Sequence, residues 1–145
     1  MEQAQNTAEK KKSKRRQGRE QALAIAFEKT FNDCTTEEII EAAQLSRDFE
    51  ISQFGLELLD GMEKNTEKID SLIDAHTKNW SKERMSRISV TLLRLAVYEM
   101  LSEGGTPISV CINEAVELAK EYATEDDASF INGILGAIAR SLEND

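Results

Sequence analysis

The sequence predicts an all-α fold of about seven helices in one domain. One proline and seven glycines in 145 residues leave few interruptions. Apolar residues recur at spacings of three and four with hardly any strand-type alternation, and Ser, Thr or Asn precedes most periodic segments, where a helix start needs an acceptor. A chain of this length buries roughly two-thirds of its unfolded surface, enough for a core without disulfide staples. Cys34 and Cys111 match no metal-ligand or CxxC spacing and are expected as small core residues in a reducing compartment.

The first helix is predicted to start at Ser13 and end near Asn32, with Leu23, Phe27 and Phe31 at spacing four beside Ala22, Ala26 and Thr30. Thr35 and Glu38 have capping-box spacing and open a short helix through Ile39, Ile40 and Ala43. Ile51, Phe54, Leu58 and Met62 mark a third stripe, with Gly61 close to its end. Asn65 or Thr66 caps a fourth helix carrying Ile69, Leu72, Ile73, His76 and Trp80, followed by a short turn capped by Ser81 or Ser86.

Ser89 is predicted to cap a central helix in which Leu92, Leu93, Leu95, Ala96, Val97, Met100 and Leu101 leave almost no polar face. Glu103 to Gly105 stop it; Thr106 then acts as cap with Pro107 at the first helical position, where a missing N–H costs nothing. That helix runs to Tyr122, burying the rows Cys111/Ala115/Leu118/Tyr122 and Ile112/Val116/Ala119 and leaving Glu114, Glu117, Lys120 and Glu121 wet. Thr124 and Asp127 cap the last helix, which buries Ile131, Ile134, Leu135, Ile138 and Leu142, while Gly133 and Gly136 are expected to admit a neighbouring helix.

Catalytic chemistry finds no carrier. His76, the one histidine, lies on an apolar stripe and reads as a satisfied core or boundary residue. The acids Glu125, Asp126 and Asp127 answer a helix dipole, and Gly104–Gly105 lacks the strand and lysine of a phosphate loop. No cofactor, metal site or small-molecule substrate is indicated. No apolar run approaches the roughly 18 residues of a membrane span, so a cytoplasmic location is expected.

Charge is divided unevenly along the chain. Residues 1–19 hold seven Lys/Arg against Glu2 and Glu9, whereas the remainder holds eleven against twenty-five acids, within a total of −9. Polyanion binding on such a body has to be local. In helical register Lys12, Arg16, Arg19, Leu23 and Phe27 form one row, so the cations are continuous with the apolar residues that dock the helix and can present planar forks to phosphates. A solubilising tail, or an import-type signal in "KKKSKRR", reads the same charges otherwise. Residues 1–12 are expected as a mobile lysine-rich extension and 13–145 as the folded domain.

Three ordered motifs narrow these readings: "LLRLAVYE" from Leu92 to Glu99, "INEAVELAK" from Ile112 to Lys120 behind a proline, and "FINGIL" from Phe130 to Leu135. With Arg15, Arg16, Arg19 and Glu20 as the N-terminal "RRxxRE", residues 14–142 resemble the NusB family of bacterial transcription antitermination factors. The resemblance implies two three-helix bundles packed across each other and no enzyme activity. It implies binding of the boxA element of ribosomal RNA leader transcripts together with the ribosomal protein NusE, within the antitermination complex on RNA polymerase, supporting rRNA transcription and processing. Self-association into a homodimer also occurs among such proteins, and the NusE surface is expected on exposed polar residues of the second half.

The implied RNA face falls on Arg15, Arg16 and Arg19, flanked by Lys12 and Lys14, and on Asp126 and Phe130, which are four apart and share a helix face. A phenyl ring stacks on an unpaired base and a carboxylate accepts from an exocyclic amino group, while arginines position the phosphates. The chain departs from the family pattern at Gln17, at Ser89–Val90 and at Ser129, where basic or Asp-Arg residues are common. Asn113 is read as satisfying a backbone group at a helix junction. Arg94, in a nearly apolar helix, requires a carboxylate or carbonyl partner. A helical protein-interaction module with this fold and no RNA site is the alternative.

Overall fold

The computed structural model describes residues 13–78 and 85–144. The lysine-rich extension, Lys12 with it, and the expected roles of Trp80 and Ser81 lie outside the described residues. Seven helices follow one another: α1 Lys14–Lys29, α2 Thr36–Arg47, α3 Gln53–Lys64, α4 Thr66–Ala75, α5 Arg87–Leu101, α6 Ile108–Tyr122 and α7 Glu125–Glu143. No strand occurs among the described residues.

Local chemistry accounts for most helix starts. Ser13, Ser52 and Ser86 each accept from the backbone N–H three residues on, and Thr35/Glu38 and Thr124/Asp127 close reciprocal capping boxes. Helix α1 packs on α2 and α3; α6 and α7 pack on each other and on α5. The two groups meet through α5, which touches α1, α3, α4, α6 and α7. Its position follows from its sequence: Leu92, Leu93, Leu95, Ala96 and Val97 are all buried, giving it apolar surface on nearly every side. Arg94 is the exception, and Asp70 of α4 takes its fork through bonds of 2.8 and 3.1 Å, the carboxylate partner expected.

Several expectations are corrected. Ser86 rather than Ser89 caps α5; Ser89 is fully buried, its N–H donating to Ser86 Oγ at 3.2 Å, because Ile88 adds a turn by packing on the core. Helix α1 stops at Lys29, where Thr30 Oγ1 and Asn32 Nδ2 donate to the final carbonyls of Phe27 and Glu28. Phe31 therefore lies beyond the helix, 59% exposed, edge-on to Phe27 with Arg87 over its ring at 4.5 Å. Pro107 is itself the N-cap of α6, its carbonyl accepting from Val110 and Cys111. Tyr122 is 46% exposed and Cys34 is exposed, on the loop before α2.

The glycine expectation also changes place. A Cβ at Gly133 would meet nothing within 4 Å, and one at Gly136 only Arg140 of the same helix. Close approach occurs instead at Gly61, where a Cβ would stand 1.9 Å from Tyr98 Cζ of α5, and at Gly18, where it would stand 2.9 Å from Phe54 of α3 and from Ser52, the N-cap of that helix. Gly18 thus lets the cationic end of α1 lie directly against α3.

Candidate nucleic-acid interface

The cationic row is built on the first two turns of α1, where spacings of three and four bring Arg15, Arg16 and Arg19 to neighbouring positions. The structure grades them by depth. Lys14 and Arg15 are exposed, Arg16 is half-buried, and Arg19 is only 7% exposed.

Each arginine has a different anchor. The Arg15 guanidinium lies 4.6 Å over the Phe54 ring and donates to Thr106 Oγ1 and, at 3.5 Å, to the Gly104 carbonyl. Arg16 forks onto Glu114 of α6, Nε to Oε2 at 2.7 Å and Nη2 to Oε1 at 3.0 Å. Arg19 forks onto Glu99 of α5 at 2.8 and 2.6 Å, with Glu114 3.8 Å from its Nη1 and Phe54 5.3 Å beneath. Glu114, expected to be wet, has a side chain only 15% exposed because it serves two arginines.

The electrostatics match this geometry. The bonds from Arg16 hold the Glu114 carboxyl below the usual carboxylate range, and the same bonds raise Arg16 above the ordinary arginine value. Burial pulls Arg19 down, but its bonds and charge pairing with Glu99 outweigh it, so this guanidinium is also raised. Burial and the neighbouring Glu99 charge push the Cys111 thiol up to about 12, which leaves it neutral and unreactive. Arg19 therefore braces α1 onto α5 from beneath, and Lys14, Arg15 and Arg16 form the outward cationic edge.

Asp126 and Phe130 stand on the first two turns of α7, held in register by the Thr124/Asp127 capping box. Asp126 is exposed and Phe130 half-buried, packed against the core rim. With His76, Ser129, Gly133, Ile134 and Ala137 they line an open hollow of about 630 Å³. His76 and Gly133 are functional candidates that sequence reasoning missed. His76 faces this hollow from the end of α4, its Nδ1 2.8 Å from the Leu72 carbonyl oxygen, as suits a boundary histidine. Gly133, three residues after Phe130, keeps the hollow open by having no side chain, a spacing that was visible in the sequence.

The two clusters are related through α6. Glu114 holds Arg16 at its middle, and Tyr122 Oη donates to Glu20 Oε2 at 2.7 Å at its end, two residues before the Thr124 cap. Helix α6 thereby sets the spacing between the cationic edge and the start of α7.

The NusB family model matches residues 16–140, from the second arginine of the row almost to the end of α7. The chain belongs to the NusB family. A transcription antitermination protein NusB of Myxococcus xanthus is 38% identical over 134 residues, covering 88% of this chain and 96% of its own. The T. maritima NusB structure, 35% identical, superimposes with a TM-score of 0.75 over 89% of this chain and 92% of that one. A chain in the solved complex of antitermination factors NusB and NusE with dsRNA, 24% identical, shares the fold with a TM-score of 0.76, covering 88% and 97%. Among the described residues no helix is long and apolar enough to cross a membrane.

Proposed function

We propose that this chain is an RNA-binding transcription antitermination factor, not an enzyme. It takes boxA-type single-stranded RNA of ribosomal RNA leader transcripts, together with the ribosomal protein NusE, in the antitermination complex on RNA polymerase. The observation that carries the site assignment is the pairing of an outward arginine edge, tied to α6 through Arg16–Glu114, with an exposed acid and a half-buried aromatic on α7, which packs on the same α6. Lys14, Arg15 and Arg16 neutralise phosphates, which the net charge of −9 repels elsewhere. Phe130 stacks on an unpaired base and Asp126 accepts from an exocyclic amino group. Arg19 positions the edge rather than touching RNA. The extension at residues 1–12, with Lys12, adds further sequence-independent attraction.

The test is binding of a short boxA-type RNA across a salt series, with and without NusE. Salt-dependent affinity that rises when NusE is present is the expected result. A chain that takes NusE but no RNA would instead be the protein-interaction module.

A further inference from the structure

Between α6 and α7 runs a second groove, of about 480 Å³. Its floor is apolar, Ile112 and Val116, and its walls carry Ser109 and Asn113 of α6 and Ser129 and Asn132 of α7. All four wall residues are exposed, and no hydrogen bond within the described residues engages their side chains. Asn113, expected to satisfy a backbone group, faces this groove instead. The surface is unusual for a chain in which 31% of residues are charged: only Lys120 and Glu125 contribute charge to the groove, and they are opposite in sign.

Its neighbours are the two clusters described above. Ser129 lines both this groove and the Phe130 hollow, and Lys120 lines both this groove and the hollow beside Arg16. The groove thus lies between the arginine edge and the aromatic, with one cation, Lys120, and one acid, Glu125, in its lining.

We infer that this groove is a base-reading subsite: an unpaired nucleobase of the bound RNA lies on Ile112 and Val116 and is read along its edge by Asn113 and Asn132. The chemistry fits that occupant. A base offers apolar faces to an apolar floor and a mixed donor–acceptor edge to side-chain amides, which present both kinds of group. A phosphate would need an excess of cations, whereas Lys120 in this lining is offset by Glu125. The inference rests on the RNA-binding reading and adds specificity to it, because neutral amides discriminate between bases where arginines on phosphates do not.

The experiment measures affinity of the full chain for a boxA-type single-stranded RNA and for a set of copies each carrying one abasic nucleotide, comparing the wild type with Asn113→Ala and Asn132→Ala. Each substitution is expected to weaken binding about two- to tenfold, with an unchanged melting temperature because both side chains are exposed. The salt slope should stay the same, since no phosphate contact is lost. One abasic position should abolish the difference between variant and wild type. Variants that bind as the wild type does overturn the subsite while leaving the RNA function standing. A loss equal on every abasic RNA, or a loss of NusE binding alone, also overturns it, the latter making the groove a protein contact. A wild-type chain that binds no RNA removes both readings.

Discussion

The arginine edge of α1 and the Asp126–Phe130 face of α7 solve opposite problems. Cations on an acidic body are drawn into intramolecular pairs, and Arg16 and Arg19 have both taken carboxylates from the second half of the chain. The face on α7 is held by its own capping box, and its acid stays exposed. Placement by long-range pairing makes the first surface rigid at the cost of occupying its donors; placement by local capping leaves the second open. Arg19 is thus the deepest of the three arginines, Arg16 is half-buried on Glu114 and Arg15 stays exposed, while Asp126 stands open on α7.

The largest expected effect tests the buried brace. Glu99→Ala leaves the Arg19 guanidinium buried without its fork partner and should lower stability by about 3–5 kcal/mol, read from urea denaturation. A loss below about 1 kcal/mol would mean that Glu114 alone can hold Arg19. On the open face, Phe130→Ala should weaken boxA-type RNA binding by about 1–3 kcal/mol. Unchanged affinity with a lowered melting temperature would make Phe130 a packing residue and collapse the contrast between the two regions.

Arg15→Ala and Arg16→Ala should each reduce the slope of log affinity against log salt by roughly 0.7, whereas Phe130→Ala should leave it untouched. If the arginine variants change affinity but not slope, they act on base contacts or on folding. The smallest effect concerns pH. Glu114 is depressed in the folded state, so its pairing contributes stability above the ordinary carboxylate pKa and loses it as pH falls through the folded value. For a partly exposed pair the contribution is about 1 kcal/mol or less. The difference in melting temperature between the wild type and Glu114→Gln should accordingly shrink towards zero on acidification; a difference constant with pH would assign it to packing.

Much of this architecture was legible before the structure. Both capping boxes, the burial of Leu23, Leu58, Ile69 and Ile131, and the need of Arg94 for a carboxylate follow from residue type and spacing. The sequence names candidates for the site but not their depth: Arg19 is buried, Arg16 half-buried, and Lys14, Arg15 and Asp126 exposed, while Lys12 lies outside the described residues. Ser89 was misplaced because Ser86 caps equally well, and only the packing of Ile88 decides between them. Gly133 and Gly136 drew attention for their position in a helix interior, yet the close crossings are made by Gly18 and Gly61, whose partners Phe54 and Tyr98 lie on other helices.

The sequence by itself determined an all-α chain, the capping-box starts of α2 and α7, most of its apolar stripes and the charge division between its first residues and the rest, because caps and periodicity act over three or four residues. The tertiary structure alone decided which arginines face outward. Glu99 lies 80 positions from Arg19 and Glu114 lies 98 from Arg16, so no local pattern pairs them. It also decided that Asn113 looks into a groove and that α6 spans the interval between the cationic edge and Phe130. Those outcomes depend on how α5 brings the two helix groups together, a balance of burial over the whole core that no short window of residues contains.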